Sequence, residues 1–158
     1  MRRVSMLFAA AGMLLAACGS SSDSNTGPNT GGLLSSFTAN VGGAAWTAAP
    51  PVVWLVTSTG VTMSGADAGG TTVSISFLGT TPGTYQLTSA SNQASGGLAT
   101  VGKGSSGWTT IGQGASGTVT VTTLTPTHVV GTFSFDAITS PNGVVNVMHV
   151  TNGKFDLK

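Results

Sequence analysis

Cysteine is all but absent: Cys18 is the only one in the chain. An internal disulfide is therefore excluded, although an exported protein would be free to form one. Charge is nearly as scarce, with only 6% of residues charged and no glutamate at all. Both arginines, Arg2 and Arg3, sit at the extreme N-terminus. Beyond residue 18 the cations are Lys103, Lys154 and Lys158 and the acids are Asp23, Asp67, Asp136 and Asp156, so that part carries three minus four, or −1, against +1 for the whole chain. Such a balance lacks the electrostatic footprint on which nucleic-acid binding depends. It also lacks a polybasic patch for anionic lipid. No stretch after Cys18 has helical periodicity, and the good helix formers Glu, Lys, Arg and Gln are nearly missing. Long apolar runs are missing too. The longest, residues 4–15, is about a dozen residues, where a membrane-spanning helix needs roughly 20.

That short run follows Arg2 and Arg3 and leads into Leu15-Ala16-Ala17-Cys18. A positive start, an apolar middle and small residues at the end make a secretory signal. The last four residues resemble the bacterial lipobox. The resemblance implies transfer of diacylglycerol to the Cys18 thiol, cleavage before Cys18, and N-acylation. A lone cysteine in an exported chain otherwise needs a special reason. Residues 1–17 are thus expected to be a lipoprotein signal peptide. Residues 18–36 are expected to be a lipidated Cys18 followed by a Gly/Ser/Thr/Asn tether, too polar to bury surface against chain entropy. At about 5–6 Å times the square root of its length, the tether reaches about 20–25 Å. The expected partner is a lipid bilayer, held through acylated Cys18, in the cell envelope. Gly19 in place of an aspartate favours the outer membrane if the organism has one.

Residues 37–158, about 120 in number, make one domain, large enough for a core without staples. Valine and threonine abound, and apolar and polar residues alternate with a period of two. Val73, Ile75 and Phe77 face one way and Thr72, Ser74 and Ser76 the other. Val119 and Val121 alternate with Thr118, Thr120 and Thr122. Phe133, Phe135 and Ala137 alternate with Thr132, Ser134 and Asp136, and Phe155 and Leu157 with Lys154 and Asp156. Further strands are expected at 37–41, 44–48, 52–58, 61–64, 84–88, 98–101, 108–111 and 144–151. Turn residues separate them at Gly42-Gly43, Pro50-Pro51, 65–70, Pro82-Gly83, Pro141-Asn142-Gly143 and Asn152-Gly153. The spacing predicts an all-β fold, an antiparallel sandwich or barrel of about 8–11 strands. The Gly/Ser-rich stretch 89–107 is expected to hold a mobile hairpin or loop around Lys103.

Several segments together resemble a known pattern: Phe37-Thr38-Ala39-Asn40-Val41, Ala45-Trp46-Thr47-Ala48, Pro82-Gly83-Thr84-Tyr85-Gln86-Leu87, Ser116-Gly117-Thr118-Val119-Thr120-Val121, Gly131-Thr132-Phe133-Ser134-Phe135 and Val150-Thr151-Asn152-Gly153-Lys154-Phe155. They are similar to a family of small all-β bacterial lipoproteins of unknown function. The resemblance covers nearly the whole domain and implies the fold and the anchor. It brings no catalytic residues.

No motif for chemistry stands out. His128 and His149 are the only histidines and lie in no metal-ligand spacing. With Asp136 and Asp156 they allow a two-His, one-carboxylate site on paper, but a strand-end His128 and a surface or half-buried His149 suffice to explain them. Asp136 and Asp156 face outward, where nothing apolar raises a carboxyl pKa for acid catalysis. No serine stands in a G-x-S-x-G elbow. Gly102-Lys103-Gly104 lacks the spacing and the following helix of a phosphate loop, and Asp67 alone is too little for a calcium loop. No catalytic residue, metal site or cofactor is assigned. Among the aromatics, Trp46 suits the core. Trp54 lies in a run apolar on both faces, read as a covered central strand or a contact surface. Trp108 shares its face with Ser106 and Thr110, while Ile111 and Thr109 share the other, so Trp108 is expected to face solvent. It is the candidate binding anchor, with Lys103 offering one charge.

Three functional readings follow. The first is a non-enzymatic, membrane-tethered β-domain for binding an envelope glycan or protein, or for envelope structure. The second is a hydrolase with a shallow Ser/Asp/His site, favoured if His149 comes within hydrogen-bond reach of Asp136 or Asp156. The third is a carrier holding a small apolar ligand in a barrel cavity.

Overall fold

A computed structural model describes residues 29–31, 35–88, 96–139 and 144–158. The signal peptide, Cys18, most of the tether and Pro141-Asn142-Gly143 lie outside the described residues. Every regular element is a strand: β1 (Asn29–Gly31), β2 (Ser36–Val41), β3 (Ala44–Thr47), β4 (Ala49–Val56), β5 (Gly60–Ala66), β6 (Thr72–Leu78), β7 (Gly83–Gln86), β8 (Gly97–Lys103), β9 (Ser106–Thr109), β10 (Ser116–Thr125), β11 (His128–Thr139) and β12 (Asn146–Leu157). They form one antiparallel sheet in the order β1-β4-β5-β6-β8-β9-β11-β12-β2-β3, with β10 added to β11 and β7 to β10. The sheet is nearly closed into a barrel, which decides between the two all-β architectures.

Closure depends on one long hairpin. β3 and β4 are consecutive, separated only by Ala48, whose N–H donates to the Phe37 carbonyl at 2.9 Å. β2 pairs with the first part of this run (Thr38 opposite Thr47) and β1 with the second part (Gly31 opposite Val52). Both therefore lie along the same edge, and the other edge of β4 carries β5. One continuous run thus joins the β12–β2 side of the sheet to the β5–β6 side. β1 comes from the segment read as tether, and Ser35 belongs to the domain as well: its hydroxyl accepts from the Lys158 N–H at 2.9 Å. Backbone groups of β4 and of Lys158 thus take partners from residues before 37.

Two expected turns are not turns. Pro50-Pro51, joined by a cis peptide, lies inside β4. Proline has no N–H for the ladder, and the β4–β5 register shifts between Ala49 and Val53. Asn152-Gly153 lies inside β12, where the register shifts against both β11 and β2. This is a β-bulge, which absorbs an extra residue without ending the strand. Asn152 takes the left-handed conformation (φ 54°) that asparagine tolerates, and a Cβ on Gly153 would stand 2.5 Å from the Phe133 ring. The strands expected at 144–151 and 153–157 are therefore one strand, Asn146–Leu157.

The alternation sends apolar side chains inward. Phe37, Trp54, Met63, Ile75, Phe77, Val119, Phe133, Phe135, Phe155 and Leu157 are all buried in one core. Phe133 stands at its centre, with ring centroids 5.4 Å from Phe37, 6.1 Å from Phe135 and 6.3 Å from Phe155. Ser and Thr point outward and pair across strands: Ser64 with Ser74 at 2.7 Å, Thr62 with Ser76 at 3.1 Å, Thr84 with Thr120 at 3.0 Å. A membrane-spanning barrel has the reverse arrangement, apolar outside and polar within. This wall is built to face water.

Candidate binding site at the mouth of the barrel

The turns Gly42-Gly43, 67–71 and 104–105 meet at one end of the barrel. Between them lies a surface cleft of about 260 Å³. Val41 and Met148, both half-buried, and the buried Trp46 give it apolar walls, and Asp67, Thr71 and Lys103 give it a polar rim. Gly42 and Gly43 both have positive φ, as a two-residue hairpin turn requires. A Cβ on Gly42 would press to 3.2 Å from the Met148 sulfur. Trp46 is fixed from two sides. Its ring meets Phe37 edge-on at 5.2 Å, and its Nε1–H donates to the Thr71 carbonyl at 2.9 Å. Asp67 accepts from the Thr71 N–H at 2.8 Å, which holds the β5–β6 turn.

The structure places Lys103 and Trp108 on the two arms of the β8–β9 hairpin. Val101 stands opposite Trp108, and Lys103 opposite Ser106. Directly opposed residues share a face, and Val101 is buried, so Trp108 points inward. It is half-buried and packs against the core. The expectation that it faces solvent is therefore corrected. Its polar neighbour Thr110 misled the reading of parity: Thr110 is buried, and its hydroxyl accepts the Ala99 N–H at 2.9 Å. A hydroxyl satisfied by a backbone donor can sit inside a core. Ile111, assigned to the opposite face, is the exposed one, at 52%. Lys103 follows Val101 at the same parity but is exposed, and it lines the cleft.

Trp46 is in the core, as expected. Trp54 is buried, but its outward neighbour Val53 is 42% exposed, so β4 is covered on one face only. The indole N–H of Trp54 has no hydrogen-bond partner among the described residues.

Both histidines find aspartates on the outer wall. His149 Nδ1 lies 2.7 Å from Asp136 Oδ1, and His128 Nε2 lies 2.9 Å from Asp156 Oδ1. Lys158 Nζ approaches the other Asp156 oxygen at 3.3 Å. The contact that would favour a hydrolase is thus made between His149 and Asp136. The third member does not follow from the register. Ser116 stands opposite Asp136, which stands opposite His149. With strands about 4.8 Å apart, Ser116 is roughly 10 Å from His149, whereas a Ser–His–Asp relay needs the histidine in the middle. The arrangement orients an imidazole without placing this serine against it. Among the described residues no cluster of three metal-ligating side chains occurs.

The hydrogen bond from His128 holds the Asp156 carboxyl below its ordinary value of 3.8; burial opposes it, and the Lys158 ammonium adds to the lowering. A depressed carboxyl stabilises the fold above its unfolded pKa, and that contribution is lost as pH falls through the folded pKa. We expect Asp156→Asn to lower the urea midpoint slightly at pH 6, and the gap from the parent chain to close below pH 4. The effect is small because the pair is solvent-screened. A gap that widened in acid would contradict the assignment.

No curated protein and no solved structure matches the chain. The model of one protein family, described as Domain of unknown function (DUF6252), matches residues 34–156, from just before β2 to nearly the end of β12, and the chain belongs to that family.

Proposed function

We propose that this protein is a lipid-anchored, non-enzymatic binding module of the bacterial envelope, which takes an amphipathic ligand at the mouth of its barrel. The observation that carries the reading is the mouth cleft. It combines an apolar wall (Val41, Trp46, Met148) with a rim that carries one ammonium (Lys103), the Thr71 hydroxyl and the Asp67 carboxylate, which already accepts the Thr71 N–H. The chain enters the barrel at Asn29, beside Trp54, while the mouth lies at the Gly42-Gly43 turn of the same long hairpin. About 13 residues at roughly 3.3 Å each separate them. A carrier role inside the barrel finds less support, because aromatic rings occupy the interior.

The test uses two variants of the full chain. Cys18→Ala should stay unprocessed or be released from membranes and should take up no labelled fatty acid; continued labelling sinks the anchor. For the mouth, the probe is anilinonaphthalene sulfonate, an apolar ring system with one anionic group. We expect saturable binding to the native chain at neutral pH, weakened several-fold by Lys103→Ala at unchanged melting temperature. Binding that Lys103→Ala leaves intact, or no binding at all, rejects the mouth as the site.

A further inference from the structure

β12 is longer than the strand beside it. Its first partner on β2 is Val150, opposite Val41, and the last bond on that side runs from the Gly42 N–H to the His149 carbonyl at 2.8 Å. Before that point β12 pairs with β11 alone, from Asn146 opposite Thr139 to His149 opposite Asp136. Residues 146–148 therefore project past the β2–β3 turn with one edge unpaired among the described residues, and Val144 and Val145 lead into them with no strand partner among the described residues. Val144, Val145 and Val147 are exposed there at 63%, 53% and 44%. Proteins normally guard such an edge with charge, proline or a bulge. The segment Val144-Val145-Asn146-Val147-Met148 has none of these.

We propose that this edge pairs antiparallel with the same edge of a second copy of the chain, making a two-fold dimer with one sheet running through both barrels. The residues name the occupant. Read about Asn146, the segment is self-complementary: apolar, valine, amide, valine, apolar. Antiparallel pairing sets Val145 against Val147 of the second copy, Val144 against Met148, and Asn146 against Asn146. Each apolar side chain meets another apolar one, the only polar side chain meets its own amide, and no like charges face each other. A two-fold interface requires such self-complementarity, and directly opposed side chains are the contacts that stabilise a strand pair. The site lies at the end of the hairpin away from Asn29. The inference does not depend on lipidation, and it shares only Met148 with the mouth cleft.

Asn146 on the dyad provides the test. Opposed Cα atoms of an antiparallel pair are about 4.5–5.5 Å apart, within the range of about 4.4–6.8 Å that a disulfide spans. The full chain carrying Asn146→Cys, purified in detergent and mildly oxidised, should run as a covalent dimer on a non-reducing gel. The parent chain, which retains Cys18, sets the background, and Thr62→Cys on the opposite wall should not exceed it. Asn146→Lys and Asn146→Asp each set like charges against each other. Each should sediment as a monomer in density-matched detergent, and their equimolar mixture should regain the dimer. Cross-linking no greater at 146 than at 62, a parent chain that sediments as a monomer, or charge variants that dimerise as well alone as mixed would each overturn the proposal.

Discussion

Phe133→Ala is expected to destabilise the folded chain by about 3–5 kcal/mol, the usual cost of removing a buried ring and leaving a cavity. Phe133 has more aromatic neighbours than any other ring in the core, lying against Phe37, Phe135 and Phe155. Its far face is closed by Gly153, whose missing Cβ leaves the ring its space. Those neighbours belong to β2, β11 and β12, which the long-range registers hold in place. The surroundings therefore cannot collapse far into the void. Urea unfolding measures the effect as a lower midpoint at unchanged slope. Thr132, one residue earlier on β11, points outward between Thr120 and Lys154. Thr132→Ala should stay within about 0.5 kcal/mol of the parent. Comparable losses at the two positions would mean that the ring is not packed as described.

Gly131→Ala should also destabilise strongly, by about 1–3 kcal/mol or more, although it adds a single methyl group. Gly131 sits on the inner face of β11. A Cβ there would stand 2.5 Å from Phe155 Cζ and closer still to the Thr120 backbone carbonyl. The ring can swing only into an occupied core, and the carbonyl belongs to the β10–β11 ladder, where Thr120 pairs with Thr132. Neither neighbour yields without breaking other contacts. Gly107→Ala is the control, because a Cβ at that position meets nothing within 4 Å. Thermal unfolding of the pair decides the matter: a Gly131→Ala chain as stable as Gly107→Ala would show that the β10–β11–β12 wall is looser than its geometry.

The period-two alternation alone established the all-β class and most strand positions, because a face that must be buried is written into every second residue. It also assigned the inward rings correctly at Phe77, Phe133, Phe135 and Phe155. Local chemistry was less reliable wherever a residue had two ways to be satisfied. Asn152-Gly153 fits a hairpin turn or a bulge equally well, and only Phe133 packing against Gly153 selects the bulge. Thr110 fits a wet face or a dry one, and only the Ala99 N–H, eleven residues away, makes it dry. That bond reversed the parity read for Trp108.

The tertiary structure alone decided the rest. Sandwich and barrel differ in which distant strands meet, and here the β3–β4 run and the short β9–β11 pairing at Thr109 and Ile138 bring the sheet back on itself. The same registers set His149 beside Asp136 and His128 beside Asp156, pairs 13 and 28 residues apart in the chain that carry no local signal. They gather Trp46, Lys103 and Met148 at one mouth. They also leave residues 146–148 beyond the end of β2. The reason is physical: alternation encodes which face each strand buries, but the partner and offset of each strand are set by how all the inward side chains fill one common interior.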